Sequence, residues 1–244
     1  MLTKPEGFCN LISLFREFSS LNGSDIEEDS FFYSASNDSS IWPYGNILKS
    51  PVDVDSLNNL IGVISDLKGL LFVLEEDLKK IDFKKSGYRP LDIWYSMKMN
   101  LFSYQQNHLK NNMVIHFVDD ENKLEKWLMQ INDIFFKGKI LNPIFFQSCM
   151  NVNSYELVNF IVDNQSVGSA FLYYRESSVG LYFFSINREF RNLGLAKDAL
   201  RLICNYISEK GSASLVLQST SIAKKLYNEF GLVNEQKIYL LDKI

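Results

Sequence analysis

The amino-acid sequence predicts an α/β (α+β) fold. Three observations carry that expectation. Stretches with strand and helix periodicity alternate along the chain, most plainly over residues 113–244. Turn residues separate them at short intervals. The 244 residues are 46% hydrophobic and 22% charged, an ordinary composition for a chain that buries a core. The length suits one large domain or two small ones. A polar stretch, His108 to Asn112, is the expected linker between a first unit, 1–110, and a second, 113–244.

In the first half, Phe8, Leu11, Ile12, Phe15 and Phe18 recur at helical spacing over Glu6 to Leu21, and Asn22-Gly23 ends that helix. Phe31-Phe32-Tyr33 is a short strand. Trp42-Pro43-Tyr44-Gly45-Asn46 reads as an irregular aromatic loop. A helix is expected from Asp55 to Leu67, a strand from Leu70 to Leu74 and a charged helix from Glu75 to Ile81. Gly87-Tyr88-Arg89-Pro90 reads as a break, with a strand over Leu91 to Leu101 after it.

The second half reads β-α-α-β-β-β-α-β-α-β. Met113 to Val118 is a strand, and Asp119-Asp120 caps a helix from Glu121 to Phe136. Gly138 and Pro143 interrupt the next helical stretch. Tyr155 to Val162 and Ser166 to Tyr174 are strands joined by a hairpin turn at Asp163-Asn164-Gln165, and Gly180 to Ile186 is a third. Ala196, Ala199, Leu200, Ile203 and Ile207 form one helix face, stopped by Lys210-Gly211. Ser214 to Gln218, Ser219 to Phe230 and Gln236 to Leu241 complete the series as strand, helix and strand.

Composition also narrows function. A net charge of -4 and an isoelectric point near 5.3 argue against a broad nucleic-acid surface, which needs clustered Lys and Arg. No run of about 20 apolar residues predicts a membrane span, and Met1 to Asn10 lack the apolar run of a signal peptide. Cys9, Cys149 and Cys204 are far apart and have no metal-ligand spacing. The expectation is therefore a reduced, cytoplasmic setting, with no metal.

The sharpest local signal is a strand, a loop and a helix. Gly180 to Ile186 is followed by Asn187-Arg188-Glu189-Phe190-Arg191-Asn192-Leu193-Gly194-Leu195-Ala196. A helix start leaves backbone N–H groups without partners, and the aligned peptide dipoles make them attractive to anions. Gly194 removes a side chain that would block a phosphate, Ala196 keeps the next position small, and Asn192 tolerates positive φ. A tight turn alone also accounts for Gly194, so two readings of the loop stand.

Arg191, Gly194 and Ala196 fit Q/R-x-x-G-x-G/A, and Ala223, Leu226, Tyr227, Phe230 and Gly231 fit A-x-x-L-Y-x-x-x-G one strand later. In this order and spacing, residues 113–244 resemble the GNAT superfamily of N-acyltransferases. The resemblance implies a mixed, mostly antiparallel sheet, splayed between the strand ending at Ile186 and the strand Ser214 to Gln218. It implies acetyl-CoA as cofactor, and an amine-bearing small molecule, peptide or protein as acceptor, attacked directly. The implied cofactor residues are Phe184, Ser185, Ile186, Arg191, Asn192, Leu193, Gly194, Leu195, Ala196, Thr220 and Lys224, with Tyr227 as the general acid.

The chain departs from the family pattern at Asn192, where a second glycine is common, and at Thr220, where many members have Asn. Trp42-Pro43-Tyr44-Gly45-Asn46 is similar to a segment of tandem members, so a second, degenerate GNAT-like domain is expected to precede the catalytic one. Trp42 and Tyr44 are either core residues or part of an acceptor channel. Lys224-Lys225 is either a solvated face or a phosphate contact, and Tyr227 could equally be a core residue. His116 is expected to be structural, Glu156 and Asp163 to be solvated carboxylates, and Cys204 to be a buried thiol. Leu181 to Ile186 contains no carboxylate, so no general base is assigned. A non-catalytic CoA-binding module and a transferase using aminoacyl-tRNA are the alternatives.

Overall fold

In a computed structural model, the structure describes residues 4–21, 32–35, 42, 45–49, 64, 69–80, 82–83, 85, 87–106, 108–137, 139 and 141–244. The chain divides into two compact units. One comprises Met1–Met97, Gln218–Lys225 and Asn234–Ile244, the other Lys98–Leu217 and Leu226–Val233.

In the first unit, helix α1 (Glu6–Leu21) buries Phe8, Leu11, Ile12, Leu14 and Phe15 along one stripe. Its first amides, those of Glu6 and Gly7, both donate to the Glu235 carboxylate at 3.2 Å, a favourable place for a negative charge. Strands β1 (Phe32–Ala35), β2 (Gly45–Leu48), β3 (Leu70–Leu74), β4 (Tyr88–Asn100) and β10 (Val233–Lys243) lie in the order β1-β2-β3-β10-β4. β1 and β2 pair antiparallel, β2 and β3 parallel, and β3 and β10 antiparallel, with Leu71 opposite Leu241. Phe32, Leu48, Leu71, Val73, Tyr88 and Leu241 share one core cluster.

Three local expectations change here. Gly45 and Asn46 are in a buried strand, not a loop. Tyr88, Arg89 and Pro90 open β4 instead of breaking the chain, with Pro90 at an exposed position where a missing N–H costs little. The helix after β3, α2, is only Glu75–Leu78. Pro43, Tyr44 and the expected helix Asp55 to Leu67, apart from buried Ile64, lie outside the described residues.

The second unit follows the expected order except for the last strand, β10, which belongs to the first unit. Its strands are β5 (Val114–Phe117), β6 (Tyr155–Val162), β7 (Gln165–Arg175), β8 (Ser178–Ile186) and β9 (Ser214–Thr220), arranged β9-β8-β7-β6-β5. β5 to β8 pair antiparallel, and β8 pairs parallel with β9. The β6–β7 turn places Asp163 and Asn164 at φ 48° and 62°, as a two-residue hairpin with this twist requires. Helix α3 (Glu121–Phe136) is capped by Asp120, whose carboxylate accepts the Lys123 amide at 2.8 Å. Pro143 begins the next helix, α4 (Pro143–Cys149), at a position where its missing N–H is harmless, so it starts an element instead of interrupting one. Helix α5 (Leu195–Glu209) buries Leu195, Ala199, Leu200, Ile203 and Ile207. The last helix, α6 (Lys224–Phe230), is shorter than expected because β9 continues to Thr220.

Cross-strand register shows which face each helix covers. His116, Asn159, Ser169 and Ser185 are successive partners across β5, β6, β7 and β8 and so share one face. Gln130 of α3 reaches Ser169 on that face. Phe117, one residue on from His116, points to the other face and meets Tyr206 of α5 with ring centroids 5.5 Å apart. Helices α3 and α5 therefore cover opposite faces.

Candidate active site

The site grows from the end of β8. Ser169 pairs with Ser185 and Phe171 with Tyr182, so β8 holds one residue more than β7 over this span. This is a β-bulge, and Phe183 within it has φ 47°, a conformation costly for a bulky residue. Aromatic packing holds it: the Phe183 ring lies 5.7 to 6.0 Å from those of Phe135, Phe136 and Trp127 on the α3 side. Phe184 turns the other way, toward Phe160 at 5.9 Å and Tyr227 at 6.2 Å. Gly168 allows the close approach of β7, since a Cβ there would collide with the Ser185 carbonyl oxygen.

The parallel ladder between β8 and β9 covers only Ser178↔Ser214, Val179↔Leu215 and Gly180↔Val216. β8 continues to Ile186 with no further β9 partner among the described residues. Beyond Ile186 the chain turns back on itself. The Asn187 amide donates to the Val167 carbonyl at 2.9 Å, a short 3-10 turn covers Arg188–Phe190, and Arg191 Nε donates to the Ile186 carbonyl at 3.0 Å. Asn192 at φ 65° and Gly194 at φ 79° then aim the chain into α5. No side chain caps that helix start. Among the described residues, the amides of Asn192, Leu193, Gly194, Leu195 and Ala196 have no backbone acceptor outside the helix. A Cβ on Gly194 would meet nothing within 4 Å. The φ of Gly194 favours glycine, and the space beside it is open to a ligand. Exposed backbone amides at a helix start suit a pyrophosphate.

Buried Asp198 secures the first turn of α5 from behind. Its carboxylate accepts the Asn111 amide at 3.1 Å, Asn111 Nδ2 at 2.6 Å and Arg201 at 2.7 Å. Burial pushes its pKa up, but the donors from Asn111 and Arg201 outweigh that and hold it below the usual value. Lys197 pairs with Glu229 at 2.9 Å, drawing α6 against the same turn. Tyr227 is buried. Burial raises its pKa above the usual value.

The structure thus brings Phe184, Tyr227 and the start of α5 together around the end of β8. Thr220 and Lys224 fall in the first unit. The Thr220 hydroxyl oxygen accepts the Ala223 amide at 3.4 Å, and Lys224 Nζ sits 3.8 Å from the centre of the Tyr95 ring. His116, expected to be structural, is exposed on β5. Glu156, expected to be solvated, accepts from Tyr174 at 2.6 Å, from Tyr206 at 2.8 Å and from Lys210. Cys204 is fully buried, which pushes its thiol up to about 12 and leaves it inert. Sequence reasoning missed the bulge at Phe183 and the serine pair at 169 and 185. Two hydroxyls in apolar strands were the visible sign.

No family model matches the chain, and no curated protein matches it. Solved structures do. A GCN5-related N-acetyltransferase from Kribbella flavida superimposes with a TM-score of 0.67 at 13% identity, over 98% of this chain and 96% of that one. The chain has the GNAT fold. A GCN5-related N-acetyltransferase from Sphaerobacter thermophilus matches with a TM-score of 0.63 at 11% identity, over 81% of this chain and 71% of that one. A protein from Novosphingobium aromaticivorans assigned to the GNAT family matches with 0.61 at 13%, over 98% of each. At such identities the likeness is one of GNAT fold alone. Among the described residues no helix is long and apolar enough to cross a membrane, and no group of three or more His, Cys, Asp or Glu could hold a metal.

Proposed function

We propose that this chain is an acyl-CoA-dependent N-acyltransferase that moves an acetyl group from acetyl-CoA to a primary amine. The observation that carries the reading is the loop Arg191 to Ala196, where unpaired amides and open space at Gly194 meet the start of α5. Residues 113–244 carry the chemistry, and the first half is read as a degenerate GNAT-like unit. Leu193, Gly194, Leu195 and Ala196 would hold the pyrophosphate through backbone N–H groups, with Arg191 and Asn192 shaping the loop. Phe184, Ser185 and Ile186 would line the arm along β8, and Thr220 and Lys224 are the further cofactor residues that the family resemblance implies.

Acetyl-CoA supplies the thioester. Tyr227, a buried side chain beside Phe184, would donate a hydrogen bond to the departing sulfur. Since burial raises its pKa, it stays protonated over the working range. The test has two steps. Calorimetric titration with acetyl-CoA should give saturable binding, and a panel of primary amines scored by thiol release should yield an acceptor. Absence of binding would refute the reading, whereas binding without any turnover would favour a CoA-binding module.

A further inference from the structure

An amine that attacks a thioester must lose a proton, and β8 has no carboxylate between Leu181 and Ile186 to take it. The α3 face of the sheet has something else. Ser185 Oγ and Ser169 Oγ are 3.0 Å apart, and Gln130 Nε2 of α3 is 3.2 Å from Ser169 Oγ. Ser169 is fully buried and Ser185 is 7% exposed. Their cross-strand row continues through half-buried Asn159 on β6 to exposed His116 on β5. A polar row therefore runs under α3 from the bulged end of β8 to solvent. Buried hydroxyls cost free energy that alanine would avoid, and these two sit beside the aromatic packing around Phe183.

Resting on the acyl-transfer reading above, we propose that Gln130, Ser169 and Ser185 form the route by which the acceptor amine's proton leaves the site. The loop that feeds α5 lies on one face, so the amine approaches from the other, where Ser185 is. A serine hydroxyl has one proton and two lone pairs. With Ser185 as donor, Gln130 and Ser185 fill both lone pairs of Ser169, which leaves the Ser169 proton for the next position along the row, its cross-strand partner Asn159. As the new N–C bond forms, the amine N–H bond breaks and its proton passes to Ser185 Oγ. Ser185 gives its own proton to Ser169, and Ser169 gives its own to solvent at the Asn159–His116 edge. The C–S bond breaks with its electron pair on sulfur, and both serines end as they began. Gln130 is a positioning residue, since it acts only through Ser169.

The test compares wild type with Ser169→Ala, Ser169→Cys and Gln130→Met, using acetyl-CoA and the fastest of benzylamine, spermidine and glucosamine as the probe amine. Ser169→Ala should lower kcat about 10- to 100-fold, at the lower end of acid–base effects. It should leave the calorimetric Kd for acetyl-CoA unchanged and alter the solvent isotope effect on kcat. Ser169→Cys, which retains an exchangeable proton, should recover most of the rate, and Gln130→Met should lose part of it. If Ser169→Ala does not fold, Gln130→Met decides by the same readouts. A kcat within twofold of wild type for the removed link overturns the relay while acyl transfer stands. A wild type that binds no acetyl-CoA, or turns over none of the three amines, overturns both.

Discussion

At Gly194 the demand is conformational before it is steric. Its φ of 79° is strained for most side chains, yet a Cβ would touch nothing. Asn tolerates this region and Val does not. Gly194→Asn should melt close to wild type, while Gly194→Val should lose about 1–3 kcal/mol of stability. Both place a side chain where a phosphate would approach, so both should weaken acetyl-CoA binding in a calorimetric titration. Full affinity in folded Gly194→Asn would remove this loop as the cofactor site. Tyr227 presents the reverse case, a side chain whose packing and chemistry separate cleanly. Tyr227→Phe keeps the ring beside Phe184 and deletes the hydroxyl. The expected loss in kcat is about 10²-fold, with acetyl-CoA affinity unchanged. Because burial raises the pKa of Tyr227, the alkaline limb of a wild-type pH–rate profile should show no loss at the pKa of an ordinary tyrosine.

Among the elements, α5 depends on its first turn. Asp198 ties that turn to Asn111 and Arg201. Its folded pKa lies below the usual value, so the stability it contributes is fully present above its unfolded pKa of about 3.9. That stability drains away as pH falls through the folded value. Melting temperatures from pH 7 down to pH 3 should therefore fall more steeply for wild type than for Asp198→Asn, which starts lower at pH 7. Parallel curves would show that the cluster carries no linked proton. The loop and helix were legible in the sequence because Arg191, Gly194 and Ala196 are local signals: a φ and a helix start are decided within a few residues. The Asp198 clip was not legible, since Asn111 lies far away in sequence and only folding brings it near. The bulge at Phe183 escaped for a related reason. An extra residue in one strand is defined against its partner strand, and Leu181 to Ile186 alone has an unremarkable apolar pattern.

Across the whole molecule, one loop of this kind predicts one ligand. Native mass spectrometry with excess acetyl-CoA should show a single bound copy per chain, and two copies would give the first unit a site of its own. The order of elements over 113–244 was readable because strand and helix periods alternate cleanly there. The sharing of the chain between units was not. Residues 218–225 and 234–244 group with the N-terminal unit, a long-range preference that no local pattern encodes.

That sharing has a consequence for how the protein is made. β3 has Ile238, Tyr239, Leu240 and Leu241 as its antiparallel partners, and these are translated long after β3 itself. Leu71 and Val73 must wait until β10 is translated before their strand is paired on that side. Until then, an apolar edge in the first unit is without its native neighbour, open to non-native pairing and to chaperones. A premature stop before residue 238 would therefore damage the N-terminal unit, far upstream of the lesion.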